Sequence, residues 1–199
     1  MKIEVYEFNG INEEECRVKC LETLDVYNNE IITKDISNEN EYVMEVIKKE
    51  DVKQYIDEYL KELGTKMNIK LNSNIDEEDN VFFVRVSSNN NPILIGKEGR
   101  TLNSIQYLLR KSISNEIGFN LNINIDVSNY KKKIEKRFED DIKKIINEVM
   151  KTKIETKLDP MNSYRRRIVH SIASNYYNIE TYSVGEEPNR YTIIKYVEK

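Results

Sequence analysis

Ile93-Leu94-Ile95-Gly96-Lys97-Glu98-Gly99-Arg100 is the stretch of sequence that decides the fold. An apolar run precedes two glycines, and an amphipathic segment with apolar residues at 102, 105, 108 and 109 follows them, as expected for a helix. Glycines at this spacing permit positive φ and remove side chains that would keep a phosphate away from the main chain. The following helix would present its free N–H groups to the same phosphates. The pattern predicts a phosphate-binding loop, with Lys97 and Arg100 adding positive charge.

The segments around this loop predict the order helix, strand, strand, loop, helix, strand. Apolar residues recur at helical spacing from Asp51, and Gly64 is expected to cap the end of that helix. Alternating patterns predict strands near residues 67–71, at 81–86 and at 121–127, with an acidic turn at 76–79. The segment between Asn89 and Ile95 leaves almost no room for a helix before the loop.

A second motif lies near the C-terminal end. Arg166 and His170 are four residues apart, so they share one face of a helix, on which Arg166 can make a forked contact with phosphate. That helix is expected to begin at Asp159-Pro160, with Asp as cap and Pro at the first helical position. A long helix from Tyr130 to Val149 precedes it, and two strands, 179–184 and 191–197, follow it around a turn that ends at Arg190.

The first 50 residues predict a small β-α-β-β unit that leans on its neighbour. Asn12 is expected to cap its helix, and strands are expected at 2–8, 30–36 and 42–47, with a polar turn at 37–40. Cys16 and Cys20 fall on one helical face and are interpreted as half-buried thiols, because a metal site would need more ligands.

Charge is distributed unevenly along the chain. Residues 1–80 carry 10 basic and 21 acidic side chains, whereas residues 81–199 carry 21 basic and 14 acidic ones. The basic half is where a polyanion is expected to dock. The start of the chain lacks the layout of a signal peptide, and no apolar run approaches about 20 residues. We therefore expect a cytoplasmic protein without membrane insertion.

The order of elements around residues 96–99 resembles the KH domain of the type common in bacteria, which implies binding of single-stranded RNA. The Arg166–His170 segment, with its flanks at 159–164 and 185–191, resembles the R-3-H domain, which is associated with single-stranded nucleic acids. The fold class is therefore expected to be α+β in three small modules: an N-terminal domain (1–50), a type II-like KH domain (51–128) and a linking helix plus R-3-H domain (129–199). The expected RNA-binding residues are Ile95, Gly96, Lys97, Glu98, Gly99, Arg100, Arg166, Arg167, His170 and Arg190.

This combination of modules resembles the Jag family, also called KhpB or EloR. The resemblance implies an RNA-binding regulator, linked in some members to cell elongation and envelope growth. It also implies a partner protein with a single KH domain, or self-association. No cofactor and no metal are expected.

Two other interpretations remain open, and we do not expect an enzyme. A protein-interaction scaffold that pairs through its KH surface is favoured by the negative charge of Glu98 and by the short segment before the loop. Single-stranded DNA is an alternative ligand, since a 2′-hydroxyl contact cannot be read from sequence. Catalysis is disfavoured, because Ser163 and Ser171 have no recognisable oxyanion hole near them and the Gly-x-x-Gly loop lacks the spacing of a P-loop.

Overall fold

The computed structural model describes residues 2–38 and 41–198, and the chain divides into two compact units, residues 1–130 and 131–199. The elements of the first unit, in chain order, are β1 (Tyr6–Gly10), α1 (Glu13–Leu24), β2 (Ile31–Asp35), β3 (Tyr42–Lys48), α2 (Lys49–Lys66), β4 (Leu71–Glu78), β5 (Val81–Ser88), α3 (Asn91–Ile95), α4 (Arg100–Ile117) and β6 (Asn122–Val127). Those of the second are α5 (Tyr130–Thr152, whose first residue belongs to the first unit), β7 (Thr156–Lys157), α6 (Ser163–Ala173), β8 (Ile179–Val184) and β9 (Tyr191–Tyr196). The predicted α+β class in small modules is confirmed.

The N-terminal module is a three-stranded antiparallel sheet of order β1-β3-β2 with α1 packed on it. Asn12 caps α1 as predicted, since its Oδ1 accepts a hydrogen bond from the Glu15 N–H at 2.9 Å. Cys16 and Cys20 are free thiols with no exposed surface, more deeply buried than expected. Of the predicted polar turn, Glu39 and Asn40 lie outside the described residues.

This module shares a core with the rest of the first unit. Ile3, Ile32 and Ile47 belong to the same buried cluster as the apolar side chains of α2, β5, α4 and β6. β3 ends at Lys48 and α2 begins at Lys49, so no linker separates the strand from the helix. The expectation that the small unit leans on its neighbour is confirmed by this shared core.

The second sheet has the order β4-β5-β6 and mixes two kinds of pairing. β4 and β5 form an antiparallel hairpin, whereas β5 and β6 run parallel because α3 and α4 connect them by a crossover. Gln106 and Arg110 of α4 bond the main chain of β6: the Ile125 N–H donates to Gln106 Oε1 at 2.9 Å, and Arg110 Nε donates to the Ile123 carbonyl at 2.8 Å. The helix that follows the loop is thereby fixed against the sheet.

Four predictions about this module were wrong. The strand predicted near residues 67–71 begins only at Leu71 and continues to Glu78. Gly64 does not cap α2 but is buried inside it, where a Cβ would come within 2.9 Å of Leu71 Cγ and of the Ile69 carbonyl oxygen. It is glycine because α2 approaches the start of β4 closely. The turn between β4 and β5 is formed by Asp79 and Asn80, both at positive φ, rather than by residues 76–79. The segment before the loop does contain a helix, α3, which begins with Asn91-Pro92.

The second unit places α5 and α6 against one face of an antiparallel sheet of order β7-β9-β8. Ile142, Ile146 and Val149 of α5 share a buried cluster with residues of α6 and with the inward-facing Ile179 and Ile194 of β8 and β9. α6 begins at Ser163, not at Asp159-Pro160 as predicted. Asn162 is its cap, because its Oδ1 accepts a hydrogen bond from the Arg165 N–H at 3.0 Å.

Candidate nucleic-acid interface

The loop between α3 and α4 depends on its two glycines. Gly96 and Gly99 have φ values of +70° and +79°, and Glu98 between them is also left-handed, at +54°. A Cβ on Gly96 would collide with the Thr101 hydroxyl, and one on Gly99 would lie 3.0 Å from the Tyr130 ring. Both glycines are therefore required by backbone geometry and by packing, and the predicted need for positive φ is confirmed.

The loop presents charge at the start of a long helix. Lys97, Glu98 and Arg100 are all exposed, and no side chain of the described chain caps the N-terminus of α4. Arg100 lies 3.6 Å from Glu98, but both side chains are more than two-thirds exposed, so solvent screens this ion pair strongly. The loop therefore combines uncapped backbone donors with two cations and one anion.

α3 brings apolar side chains next to the loop. Ile93 is 47% exposed, whereas Ile95 is half-buried and packs against the main core of the unit. The Gly96 N–H donates to the Pro92 carbonyl at 2.9 Å, which joins the loop to the first turn of α3. Asn91 fixes the other end, since its Oδ1 accepts from the Ser88 N–H and its Nδ2 donates to Ser128 Oγ at 2.8 Å.

The guanidinium of Arg166 is held inside the second unit. Its side chain is only 9% exposed, and Nη1 donates both to the Met161 carbonyl and to Glu187 Oε1, each at 2.7 Å. Glu187 lies in the turn between β8 and β9, with a side chain 58% exposed. Arg166 thus already has an anionic partner, and its bonds connect the start of α6 to that turn.

His170 faces the sheet from the same side of α6. Its Nδ1 lies 2.7 Å from Thr181 Oγ1 and its Nε2 lies 3.1 Å from Ser183 Oγ, which in turn is 3.2 Å from the buried Thr192 hydroxyl. Burial, and then the positive charge of Arg166, hold the pKa of His170 below its usual value. A neutral ring can donate from one nitrogen and accept at the other, which matches the two hydroxyl partners.

The remaining predicted residues lie at the surface. Arg167 is exposed on α6, and Arg190 is exposed directly before β9. Arg165, also exposed, lies with its guanidinium carbon 5.1 Å from the centre of the Phe138 ring. The structure thus separates the C-terminal set into two inward side chains, Arg166 and His170, and outward arginines.

Sequence reasoning missed the partners that hold the inward pair. Glu187 is 21 residues from Arg166, and Thr181 and Ser183 are on a different element from His170, so no local spacing links them. The alternation of β8 could have predicted that Thr181 and Ser183 point inward, since it places them on the same face as the buried Ile179. The helix cap had a signal too, because Asn162 precedes the amphipathic segment directly.

Comparison with known proteins identifies two domains in the chain. Residues 53–125 match the family model described as the KH domain of KhpA/KhpB, and residues 133–196 match that of the R-3-H domain. RNA-binding protein KhpB of Clostridium symbiosum is 32% identical over 149 residues, which are 74% of this chain and 67% of that protein. RNA-binding protein KhpB of Bacillus subtilis is 30% identical over 156 residues, 77% of this chain and 75% of the relative. The chain belongs to the KhpB family.

Membership of the KhpB family confirms the predicted resemblance to Jag proteins and the assignment of KH and R-3-H domains. A more distant KhpB, from Streptococcus pneumoniae, is 24% identical over 136 residues and matches over only 42% of its own length. Both of the more similar relatives are RNA-binding proteins. Within residues 2–38 and 41–198, no helix has the length and apolar character needed to cross a membrane.

Proposed function

We propose that this KhpB-family chain is a regulatory protein that binds single-stranded RNA through the loop at residues 96–99 and through exposed arginines of its R-3-H domain. The observation that carries the proposal is the loop itself. Gly96, at positive φ, is only half-buried, and exposed Lys97 and Arg100 flank the start of α4, which no side chain of the described residues caps. This arrangement suits the phosphates of a single strand.

In the KH domain, ligand contact is divided between backbone and side chains. The glycine loop and the first N–H groups of α4 receive phosphates, Lys97 and Arg100 supply charge, and Ile93 with Ile95 offers an apolar surface to bases. Glu98 lowers the affinity, because its carboxylate lies among these groups and is 3.6 Å from Arg100. We therefore expect modest affinity for this module by itself.

In the R-3-H domain, the outward arginines contact phosphate and the inward pair positions them. Arg167 and Arg190 are exposed, whereas the bonds of Arg166 and His170 fix α6 to the β8–β9 turn and to β8. Two modules on one chain raise the effective concentration for the second contact, so weak individual sites can give useful affinity together.

The test is RNA binding by the full chain as a function of salt. A fluorescein-labelled, single-stranded RNA of about 12 random nucleotides is titrated with wild type, with Lys97→Glu and with Lys19→Glu. Lys19 on α1 is the matched control, since it is exposed and the charge change is the same. We expect Lys97→Glu to weaken binding about tenfold and to flatten the salt dependence, while Lys19→Glu binds like wild type. Salt-independent binding, or equal loss in both variants, would refute the proposal.

A second candidate function is pairing with a single-KH protein or with another copy of the chain. Tyr107 and Leu108 of α4 are adjacent large apolar side chains that are 67% and 55% exposed, which favours a protein contact on this helix. Leu108→Glu should abolish such a complex in sedimentation or size-exclusion measurements. Leu108→Met should preserve it, and an unchanged mass distribution for both variants and wild type would exclude pairing through α4.

The proposal extends to cellular role and location. We infer a binding protein rather than an enzyme, acting in the cytoplasm. The relatives are named for RNA binding, and the site offers hydrogen-bond donors and positive charge to phosphate groups. The resemblance to Jag proteins adds a proposed effect on cell elongation and envelope growth. Crosslinking to RNA in cells, followed by measurement of cell length after loss of Lys97, tests both parts together.

A further inference from the structure

The C-terminal sheet has one covered and one open face. Alternation along β8 sends Ile179, Thr181 and Ser183 toward the helices, while Tyr182 and Val184 point the other way. α5 and α6 both contribute to the buried cluster on the covered side, which includes Ile179 and Ile194. The opposite side is therefore the unit's outward sheet surface.

This open surface carries aromatic, aliphatic and basic side chains. Tyr182 is 44% exposed and Val184 is 38% exposed. The strand register sets Tyr182 opposite Ile193, Val184 opposite Tyr191 and Lys157 opposite Ile193. We call this surface the tyrosine face, defined by six residues: Lys157, Tyr182, Val184, Tyr191, Ile193 and Lys195.

Charge and ring geometry on the tyrosine face point to an anionic, aromatic ligand. Lys157 Nζ lies 4.0 Å from the centre of the Tyr191 ring, so a cation and a π surface are already side by side. Lys195 is exposed on the same face, opposite the exposed Glu180 in the register. The face therefore carries two positive charges beside two tyrosine rings, with the negative charge of Glu180 next to Lys195.

These features favour nucleic acid over protein as the occupant. Bases stack on tyrosine rings whatever their identity, and lysines beside the rings pair with the backbone phosphates. Protein interfaces, by contrast, are depleted in lysine at their centre, where this face carries Lys157 against the Tyr191 ring. We propose that the tyrosine face is a base-stacking platform for single-stranded RNA, a contact that rests on the proposed function and adds a surface to it.

This assignment gives the R-3-H domain a ligand surface separate from its name-giving residues. Arg166 and His170 belong to the covered side, where Arg166 Nη1 donates to Glu187 and both ring nitrogens of His170 are bonded to the hydroxyls of Thr181 and Ser183. Their role is to hold α6 against β8 and the β8–β9 turn, which keeps the strands that carry Tyr182 and Tyr191 in register. RNA bases then contact the open side of the same sheet.

The test uses the full chain and the same labelled random RNA, with three variants of the tyrosine face. Tyr182→Ala should weaken binding about tenfold, within the range measured for loss of one base–aromatic stack. Tyr182→Phe should bind like wild type, because it keeps the ring. Lys157→Ala should lower the slope of log affinity against log salt by about 0.7, the value for one phosphate of a single strand. Tyr177→Ala is the matched control, since Tyr177 is 75% exposed but lies before β8, off the sheet.

The outcomes separate this inference from the proposed function. If Tyr182→Ala and Lys157→Ala bind like wild type while Lys97→Glu is weakened, the tyrosine face is not an RNA platform and the proposed function stands. If wild type shows no salt-dependent binding, both fail. Loss of a protein partner by Tyr182→Ala, with RNA binding intact, would also overturn the inference.

A second measurement does not depend on how well the variants fold. Wild type is crosslinked to single-stranded RNA containing 4-thiouridine, and the modified peptides are identified by mass spectrometry. Crosslinks within 179–184 or 191–196 support the platform. Crosslinks confined to residues 1–130 exclude it.

Discussion

The loop at residues 96–99 and the α6 segment at residues 166–170 both carry charged motifs, but they use them in opposite ways. Around the loop, the charged side chains are exposed and the glycines are the residues fixed by packing. In α6, Arg166 and His170 are turned inward and bonded to Glu187, Thr181 and Ser183. Burial therefore distinguishes two kinds of motif: one whose charged side chains are open to solvent, and one whose charged side chains bond α6 to the rest of its unit.

The largest expected effect, and the clearest test of the contrast between inward and outward side chains, is at Arg166. We expect Arg166→Ala to lower the free energy of unfolding of the C-terminal unit by about 2 kcal/mol, because the Met161 carbonyl loses its charged donor and the largely buried Arg166 side chain loses its packing, while Glu187 remains solvated. Urea unfolding followed by circular dichroism measures the change. Arg167→Ala, one position along the helix and exposed, should change it by less than about 0.5 kcal/mol. Equal effects at the two positions would remove the distinction between inward and outward arginines.

In the loop, the largest stability effect should come from a glycine rather than from a charge. Gly96→Ala should cost about 2 kcal/mol, since the new Cβ meets Thr101 at a backbone φ of +70°. Gly118→Ala is the milder comparison: its φ of +77° and ψ of 4° lie in the left-handed helical region, and a Cβ there meets nothing within 4 Å, so only a backbone cost of about 1 kcal/mol remains. Gly96 combines positive φ with a ψ of −177°, a conformation that is essentially restricted to glycine. If the two substitutions cost the same, neither this conformation nor Thr101 constrains the loop.

A smaller change should follow from Glu98. Glu98→Gln removes the anion beside Arg100, and we expect RNA to bind about threefold more tightly at low salt, with the gain shrinking as salt is added. Unfolding should be unaffected, because both side chains of this ion pair are exposed. Weaker binding by Glu98→Gln would show that the carboxylate contacts the ligand favourably.

The smallest expected effect is the pH dependence that His170 contributes. Its folded-state pKa lies below the ordinary value of about 6.5. As pH falls through about 6.5, the unfolded chain takes up the proton more readily than the folded one, so stability is lost on acidification and is fully present above that pH. Wild type should therefore lose stability between pH 7.5 and pH 5.5 relative to His170→Gln. Parallel pH profiles for the two proteins would contradict the inward, neutral placement of this ring.

Local pattern was sufficient for most elements and insufficient for contacts between them. Periodicity predicted α2, α4, α5 and the strands β8 and β9, because each buries one repeating face. Helix α3 was not predicted, because five residues are too few for a periodic pattern, although Pro92 after Asn91 marked its start. Two further features were not predicted: the two-residue strand β7 and the parallel pairing of β5 with β6. Both depend on strand partners that are distant in sequence.

In the candidate site too, features made by neighbouring residues could be predicted and features that depend on distant contacts could not. The loop could be predicted because its glycines, its cations and the following helix are contiguous in sequence. The inward role of Arg166 could not, because burial of a guanidinium depends on Glu187 in a turn that only the folded sheet brings near. The tyrosine face was present in the alternation of β8 and β9, but its chemistry depends on Lys157 of β7, which pairs across β9.

The direct junction of β3 and α2 constrains how this protein can change in length. Lys48 ends the strand and Lys49 begins the helix, and the side chains on both sides of this point enter one core. A helix turns by about 100° per residue. A single residue inserted here would therefore rotate the whole of α2 out of phase with the sheet and point Val52 and Ile56 away from the core. Substitutions at this boundary can accumulate during evolution, but we expect selection to remove insertions and deletions.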